Sequence, residues 1–422
     1  METQNKCPVT QLGAAFDPFA TDYLSNPFLF LDRARAEEPI FYSPEIDYWV
    51  VTRYEDIKAI FRNHKAFTAE NTISPIVPFS DEVLKMLKDE DYTPQPVLSN
   101  NVPPSHTRIR SKVNTLFTPK RMQDFTPDIE WLVNAQIDKF IDNGQGDIVK
   151  EMTYDLPALV LFHVLGVPSE DVPQVKEWAG KRIILYYGKP SPDEQIEMAK
   201  NLVRFWKYTQ ALVQEKLNDP QDDLTSDLIR IRDGDDSVLT INEITSCMIT
   251  LLVAGHETTT AQMTNGIYHL LSNREKWIQL CENPELVENV VEEMLRFDPS
   301  VCAWRRVARE AITVNDVEIP KNSNVLLMLN SANRDDVMFE FPDQFKMERE
   351  NAHQHLAFGH GIHFCVGAPL ARLELKIAFE TLTRRLPSLR LVEDQTLKFV
   401  PNISFRSPIS LLLEWDSFSY SR

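Results

Sequence analysis

Residues 358–367 read Phe358-Gly359-His360-Gly361-Ile362-His363-Phe364-Cys365-Val366-Gly367. These ten residues hold three glycines and two histidines, in a chain of 422 residues that contains only 12 glycines and 9 histidines. Glycines on both sides of a cysteine allow unusual backbone dihedrals and let a flat ligand approach the backbone closely. A helix is predicted to follow at once, with Pro369 in its first turn, where proline is tolerated. The stretch therefore predicts one cysteine in a glycine-framed loop at a helix N-terminus.

A thiolate at Cys365 would be stabilised by the positive end of the helix dipole and by free backbone N–H groups. The plainest interpretation is a turn with a buried structural cysteine. A zinc site is a second interpretation, with ligands from His353, His355, His360 and His363, but no partner CxxC occurs. A lone thiolate in such a loop fits heme ligation better.

The pattern F-G-x-G-x-H-x-C-x-G is matched at every fixed position, and here the chain resembles the cytochrome P-450 superfamily. The resemblance implies that Cys365 is the axial thiolate ligand of heme b iron and that His363 approaches a heme propionate. It places Phe358 and Gly359 in the heme-binding loop. The implied fold class is mainly α with a small β portion (α+β), the cytochrome P-450 fold with a long central helix over the heme.

A second motif lies at residues 254–259, Ala254-Gly255-His256-Glu257-Thr258-Thr259, inside a helix predicted from Ile241 to Leu271, which starts with a T-x-x-E capping box of Thr240 and Glu243. A threonine hydroxyl in this motif can bond back to a carbonyl of the helix. Read alone, the motif is a core helix with a packing glycine; a HExxH zinc protease is excluded because Thr260 replaces the second histidine. It resembles the superfamily's A-G-x-[DE]-T motif. The resemblance implies that Glu257 and Thr258 are the acid–alcohol pair that delivers protons during dioxygen reduction. Ala254 and Gly255 would leave room for dioxygen, whereas Thr259 and Thr260, one and two positions along the same helix, are expected to point away.

Three further positions match propionate-binding residues of the superfamily. His106 and Arg110 are four residues apart on a predicted helix, and donors at that spacing suit a carboxylate; solvated basic faces are nevertheless common. The resemblance implies that both hold heme propionates. Arg306 matches a third propionate ligand, although Arg305 stands beside it.

Glu293 and Arg296 match the superfamily's E-x-x-R motif. Spacing of three places both charges on one helix face, where an exposed ion pair contributes little. The resemblance instead implies a buried network beneath the heme. Gln344 stands where the third member of the network is often arginine, so we expect Arg349 to replace it.

Composition excludes several classes of protein. Acidic residues number 62 and basic residues 44, a net charge of −18, so no overall basic footprint for nucleic acid exists. Five cysteines without a CxxC pair fit a reducing compartment. No apolar stretch is long enough to span a bilayer, and Met1–Pro8 carries no signal-peptide core. We expect a cytoplasmic protein that binds neither nucleic acid nor membrane.

The sequence contains no internal repeat and no flexible linker, which favours one domain over two. We expect a loose leader at 1–15, a single heme-binding monooxygenase domain at 16–417, and a tail at 418–422. Helices dominate between 106 and 298, and strand signals occur at 40–51, 311–319, 324–329 and 389–415. Periodicity fails from about 66 to 104, which predicts a long irregular loop of functional importance.

Phe16–Phe19, Ile46–Tyr54 and Asp222–Leu228 resemble the heme domains of self-sufficient bacterial enzymes fused to a phthalate-dioxygenase-type reductase. Since the sequence ends at Arg422, we expect a stand-alone relative or a heme domain from a longer protein. The implied electron donor is a ferredoxin or an FMN/iron–sulfur reductase. A basic island without acidic residues, 92–123, is the expected docking site; its cations are Arg108, Arg110, Lys112, Lys120 and Arg121.

The resemblance implies a bacterial heme-thiolate monooxygenase that uses dioxygen to hydroxylate or O-dealkylate a small hydrophobic or aromatic substrate. By positional analogy, the pocket is expected to draw on the 66–104 loop, Ile183, Leu185, Tyr186, Leu251, Ala254, Val301–Trp304 and Ile403–Phe405. A non-catalytic heme sensor is a rival, but it would not need Glu257 and Thr258. A peroxygenase or a nitrating enzyme stays open.

Overall fold

The computed structural model describes residues 9–416 and is dominated by helices. The α-helices are α1 Gln11–Ala15, α2 Thr21–Ser25, α3 Phe28–Glu37, α4 Tyr54–Arg62, α5 Asp81–Asp89, α6 Ser105–Asn114, α7 Pro119–Gln123, α8 Thr126–Asp138, α9 Leu156–Leu165, α10 Val172–Tyr187, α11 Pro192–Asn218, α12 Leu224–Arg232, α13 Ile241–Leu271, α14 Arg274–Glu282, α15 Val287–Phe297, α16 Leu329–Ala332 and α17 Ala368–Arg385. The strands are β1 Ile40–Ser43, β2 Tyr48–Val51, β3 Phe67–Thr68, β4 Gln145–Asp147, β5 Ala303–Ala308, β6 Ile312–Val314, β7 Val317–Ile319, β8 Asn324–Met328, β9 Arg390–Leu391 and β10 Leu412–Glu414.

The 31-residue helix α13 is the centre of the helical part. Its start is fixed by the predicted capping box, in which Glu243 N donates to Thr240 Oγ1 and Thr240 N donates to Glu243 Oε2. The run from Met248 to Val253 is apolar and buried except at Thr250, and α9, α10, α11 and α15 pack around the helix. No helix within residues 9–416 has the length and apolar character that crossing a membrane requires.

The β portion lies beside the helices. Its largest sheet has the order β1-β2-β8-β5-β3, in which β2 and β8 run parallel and the other neighbours antiparallel. Strand β5 pairs Arg306 with Val325 of β8. Strand β10 joins β4 to β9 in a second sheet, and β6 with β7 forms a hairpin. The fold class predicted from the sequence, mainly α with a small β portion, is confirmed.

Two sequence predictions are corrected by the fold. The irregular loop predicted at 66–104 contains helix α5, whose N-cap Ser80 accepts a hydrogen bond from Val83 N and is followed by acidic residues in the first turn. Residues 11–15 of the predicted leader form α1, capped by Thr10 and packed on β1. Residues 1–8 of the leader and the tail at 418–422 lie outside the described residues. The assignment of 16–417 to one domain stays a prediction.

Candidate heme and substrate site

A cavity of about 250 Å³ lies between α13, the end of α10, strand β5 and the loop that carries Cys365. Most of its wall is apolar, with Leu251, Ala254, Val301 and Phe405 among the lining side chains. Cys365 is the one cysteine among the described residues that line it. The cavity therefore brings the glycine-framed cysteine and the central helix motif, more than a hundred positions apart in sequence, to one space.

The Cys365 loop is built to hold a thiolate. Cys365 N donates to Phe358 O at 2.9 Å, which closes the loop. Burial raises the pKa of the Cys365 thiol above its usual value, and the amides of Gly367 and Ala368 at the start of α17, with Arg110 nearby, offset part of that rise. Gly361 has φ +74°, and a Cβ there would lie 2.8 Å from Phe61 O. Glycine is therefore required at 361 by the close approach of α4.

Four hydrogen-bond donors from three separate elements cluster at one end of the cavity; three of them line it, and His106 packs behind His363. The four are His106 and Arg110 of α6, Arg306 of β5, and His363 of the Cys365 loop. The rings of His106 and His363 lie 4.2 Å apart. Both ring nitrogens of His106, Nδ1 of His363 and Nη2 of Arg306 are buried without a hydrogen-bond partner. The structure thus brings together all four residues that the sequence nominated for the propionates.

Burial and like charges disfavour positive charge in this cluster, an effect that an anionic ligand would offset. Burial and the neighbouring cations lower the pKa of His363 to about 2 and that of His106 to about 4. Burial alone lowers the pKa of Arg306 to about 10. The one carboxyl among the described residues lining the cavity is Glu374, and burial raises its pKa to about 8. An apolar slot with a thiol on one wall and orphaned donors at one end fits heme with its two propionates.

On the opposite wall, Thr258 lines the cavity, and its hydroxyl donates to Ala254 O at 2.8 Å. This back-bond is the one predicted from the threonine-rich stretch. Thr259 was expected to point away, but it also lines the cavity while donating to Gly255 O at 2.9 Å. Thr260 does not line it. A Cβ on Gly255 would lie 2.8 Å from Leu161 Cδ2, so this glycine also permits the close packing of α9.

Glu257 lies on a different side of α13 from Thr258. Its Oε1 is 3.2 Å from His256 Nε2 and would lie 3.2 Å from a Cβ on Gly180 of α10. Burial raises the pKa of Glu257, but pairing with His256 and the charge of Lys176 outweigh burial and hold it below its usual value. Glu257 is absent from the cavity lining. Its predicted role in proton delivery stays a prediction and requires a side-chain rotation.

The predicted E-x-x-R network is present and fully buried. Arg296 donates to Glu293 from Nε at 2.6 Å and from Nη2 at 2.8 Å, and Arg349 Nε lies 3.0 Å from Glu293 Oε2. The remaining guanidinium N–H groups donate to backbone carbonyls, among them Gln344 O. Arg349 is therefore confirmed as the third member in place of a side chain at 344.

Glu292, the neighbour of Glu293, was missed by sequence reasoning. It binds Arg372 of α17 at 2.6 Å and lies 3.4 Å from His355 Nε2, which precedes the cysteine loop. Burial raises the pKa of Glu292, but Arg372 and His355 outweigh it and hold the pKa at about 2. Adjacent carboxylates on α15 thus hold the chain on both sides of Cys365. No linear motif signals this, because the partners are 63 and 80 positions away.

Some of the residues predicted to line the substrate pocket do line the cavity, and others do not. Residues that line the cavity are Ile73, Leu98, Ser99 and Asn100 of the 66–104 segment, with Ile183, Tyr186, Leu251, Ala254, Val301, Trp304 and Phe405. Leu185, Cys302, Ala303, Ile403 and Ser404 do not line it. Leu185 lies in the core because it follows Ile183 by two positions on a helix, which turns it to another face.

The zinc interpretation is not supported within residues 9–416, where no group of three or more His, Cys, Asp or Glu side chains is arranged to hold a metal ion. His363 instead lines the cavity end described above, and His106 packs against His363. His355 is held by Glu292, and His360 Nε2 accepts from Arg62 Nε at 3.1 Å. One thiol facing an apolar cavity, with propionate-binding donors, defines a heme-thiolate protein.

Comparison with known proteins agrees with that class. Residues 180–402 match the sequence model of the Cytochrome P450 family. A biotin biosynthesis cytochrome P450 of Bacillus subtilis (strain 168) is 34% identical over 92% of this chain and 96% of its own length. The chain belongs to the cytochrome P450 family and is a monooxygenase that uses heme held by a cysteine thiolate.

Solved structures confirm the fold and the predicted subgroup. An intact type IV self-sufficient cytochrome P450 monooxygenase is 39% identical with a TM-score of 0.94. The match covers 97% of this chain but 54% of that protein. The cytochrome P450 CREJ, solved in complex with (4-ethylphenyl) dihydrogen phosphate, is 37% identical with a TM-score of 0.92, over 96% of this chain and 100% of that protein.

Proposed function

We propose that this monooxygenase hydroxylates or O-dealkylates a small hydrophobic or aromatic substrate, with Cys365 as the heme ligand. The observation that carries the proposal is the single cavity that joins the Cys365 loop to an apolar wall of Leu251, Val301, Trp304 and Phe405. Heme, when bound, supplies the reduction of dioxygen and the transfer of one oxygen atom. The aromatic ligand of CREJ supports a substrate of that shape.

The chain's own residues have separate tasks in this proposal. His106, Arg110, Arg306 and His363 bind and orient the propionates, and Ala254 keeps the wall opposite Cys365 small. Thr258 Oγ1 donates to Ala254 O and can accept a hydrogen bond, so it holds a water in the cavity. Glu257 replenishes the proton on that water from the α10 side, where Lys176 and Asp155 form a 2.8 Å ion pair towards the surface.

The test is product formation by the heme-loaded protein with a ferredoxin–reductase pair and a panel of alkyl- and methoxy-substituted aromatics. When the reaction runs under isotopically labelled dioxygen, we expect one labelled oxygen atom in each hydroxylated product; O-demethylation of a methoxy compound should instead place the label in the released formaldehyde and leave the phenol unlabelled. Product formed with hydrogen peroxide but never with dioxygen and a donor would favour the peroxygenase alternative. Heme loading with no product from any compound, by either route, would favour a sensor.

We further propose that an acidic ferredoxin or an FMN/iron–sulfur reductase docks on α6 and α7, beside the Cys365 loop. Arg110 donates to Phe364 O, and α7 packs against α17, so both helices flank that loop. The basic island predicted from the sequence is smaller than expected, because Arg108 pairs with Glu243 and Arg121 with Asp227. Lys112 and Lys120 have no ion-pair partner among residues 9–416.

Reversing these two charges is expected to slow electron delivery. A Lys112→Glu, Lys120→Glu double variant should be reduced roughly 10-fold or more slowly by an acidic ferredoxin at low salt, because charge steering raises association rates by about 10–10³. The parent's reduction rate should fall as ionic strength rises. Stopped-flow reduction measures both effects.

The matched control for this docking site is a Lys321→Glu, Lys398→Glu double variant, which makes the same change of net charge. Lys321 lies in the turn between β7 and β8, and Lys398 lies in the C-terminal segment. We expect parental rates from the control. A parental rate in the Lys112, Lys120 variant, or a rate independent of salt, would place docking elsewhere.

A further inference from the structure

The cavity contains one cation that the heme site does not use. Arg182 lies on α10, lines the cavity and is 9% exposed. It is separate from the propionate-binding donors, which come from α6, β5 and the Cys365 loop. Helix α10 instead packs against α13, whose Thr250, Leu251 and Ala254 line the substrate side of the same cavity.

Arg182 has no hydrogen bond or ion pair to any residue within 9–416, and its buried Nε has no partner. Its one recorded contact is with the ring of Tyr186, whose centroid lies 5.3 Å from Cζ. The carboxyl of Glu374, which also lines the cavity, does not serve as its partner, because Glu374 Oε1 is itself buried without a hydrogen-bond partner. A guanidinium this buried is ordinarily paired with an anion.

The end of α10 is anchored in a way that fixes the position of Arg182. Ile76 N donates to Tyr186 O at 3.2 Å, and Ile403 N donates to Tyr187 O at 3.1 Å. Phe79 packs edge-on against Tyr186, with ring centroids 5.6 Å apart. The guanidinium is therefore backed by an aromatic ring on one face, and its N–H groups are left for a ligand in the cavity.

We infer that the substrate carries an anionic group, a carboxylate or a phosphate monoester, and that Arg182 binds it while the apolar body lies between Leu251, Val301 and Phe405. This rests on the proposed function and narrows its substrate class. Planar guanidinium donors match the oxygen pairs of both anions. The remaining wall offers no second free cation among the described residues, since Arg110 and Arg306 lie at the propionate end.

The experiment is isothermal titration calorimetry of the heme-loaded protein with matched probes. The probes are para-propylbenzoate and para-propylphenyl phosphate against neutral para-propylbenzamide and para-propylphenol. We expect at least one anion to bind more tightly than its neutral partner. The stronger anion identifies the natural head group as carboxylate or phosphate.

Arg182→Gln should weaken binding of the preferred anion by roughly 30-fold or more, with little change for the neutral partner. Arg182→Lys should restore part of the preference. The control is Lys181→Gln, which removes an exposed cation from the next position on α10, paired with Glu177 at 3.5 Å. Neutral probes that bind as tightly as the anions, or equal loss in both after Arg182→Gln, would overturn the inference.

Calorimetry detects binding without turnover, so this result is independent of the proposed oxidation. Anion binding without product would reject the proposed reaction and keep the Arg182 site. Oxidation of neutral compounds alone, unaffected by Arg182→Gln, would keep the proposed reaction and reject the Arg182 site.

Discussion

Thr258→Ala is expected to keep the thiolate spectrum and the substrate affinity but to release hydrogen peroxide in place of product. The substitution removes the hydroxyl that we propose holds a water in the cavity, without touching Cys365 or the propionate-binding donors. Positioned proton transfer typically contributes ~10²–10⁴-fold in rate, although water can substitute in part. The measurement is product formed per reducing equivalent.

Thr260→Ala is the control for this prediction, because Thr260 lies two positions along α13 and does not line the cavity. It should remain coupled. Thr259 is a poorer control than its sequence position suggests, since it contributes to the cavity wall. If Thr258→Ala forms as much product per reducing equivalent as the parent, the proton-delivery role of the hydroxyl is wrong. The hydroxyl would then serve helix packing, and the substrate itself would be the proton relay.

Glu293→Gln is expected to destabilise the folded protein by about 3–5 kcal/mol, because it leaves the charges of Arg296 and Arg349 buried without an anion. Heme retention should fall as well, since Arg349 lies on the segment that leads into the cysteine loop. Denaturant titration of the heme-loaded protein measures the loss of unfolding free energy. Release of heme is followed in the same experiment by absorbance.

The matched control is Glu288→Gln on the same helix. Glu288 is 72% exposed and pairs with Lys376 at the surface, so its loss should cost no more than about 1 kcal/mol. Equal destabilisation by the two substitutions would show that the buried network does not stabilise the fold as proposed.

The sequence alone predicted those parts of the fold and site whose interacting residues are close together in the chain. The box at Thr240 and Glu243 predicted the start of α13, and the run 358–367 predicted the cysteine loop and the helix after it. Arg349 was found because it lies close in sequence to the position it replaces. In each case the residues that interact, or the motif that marks them, lie within a few positions of one another.

Tertiary contacts determine what the sequence did not show. Strand β5 carries Arg305 and Arg306 where a strand signal would have apolar residues, and it is held by pairing with β8. Glu257 occupies the position of the acid in the A-G-x-[DE]-T motif, but its side chain lies against α10 and beside His256. Arg182 is one of many arginines in the sequence, and only the cavity wall distinguishes it.

The most direct test of the account is the absorbance spectrum of the ferrous protein with carbon monoxide. We predict the red-shifted Soret band of thiolate ligation in the parent, its loss in Cys365→Ser, and its retention when Cys7, Cys247, Cys281 or Cys302 is changed to serine. Cys247, Cys281 and Cys302 do not line the cavity, so none of the three is placed to bind heme there. Persistence of the band in Cys365→Ser, with its loss in any of the other four variants, would contradict the assignment of Cys365 as the heme ligand.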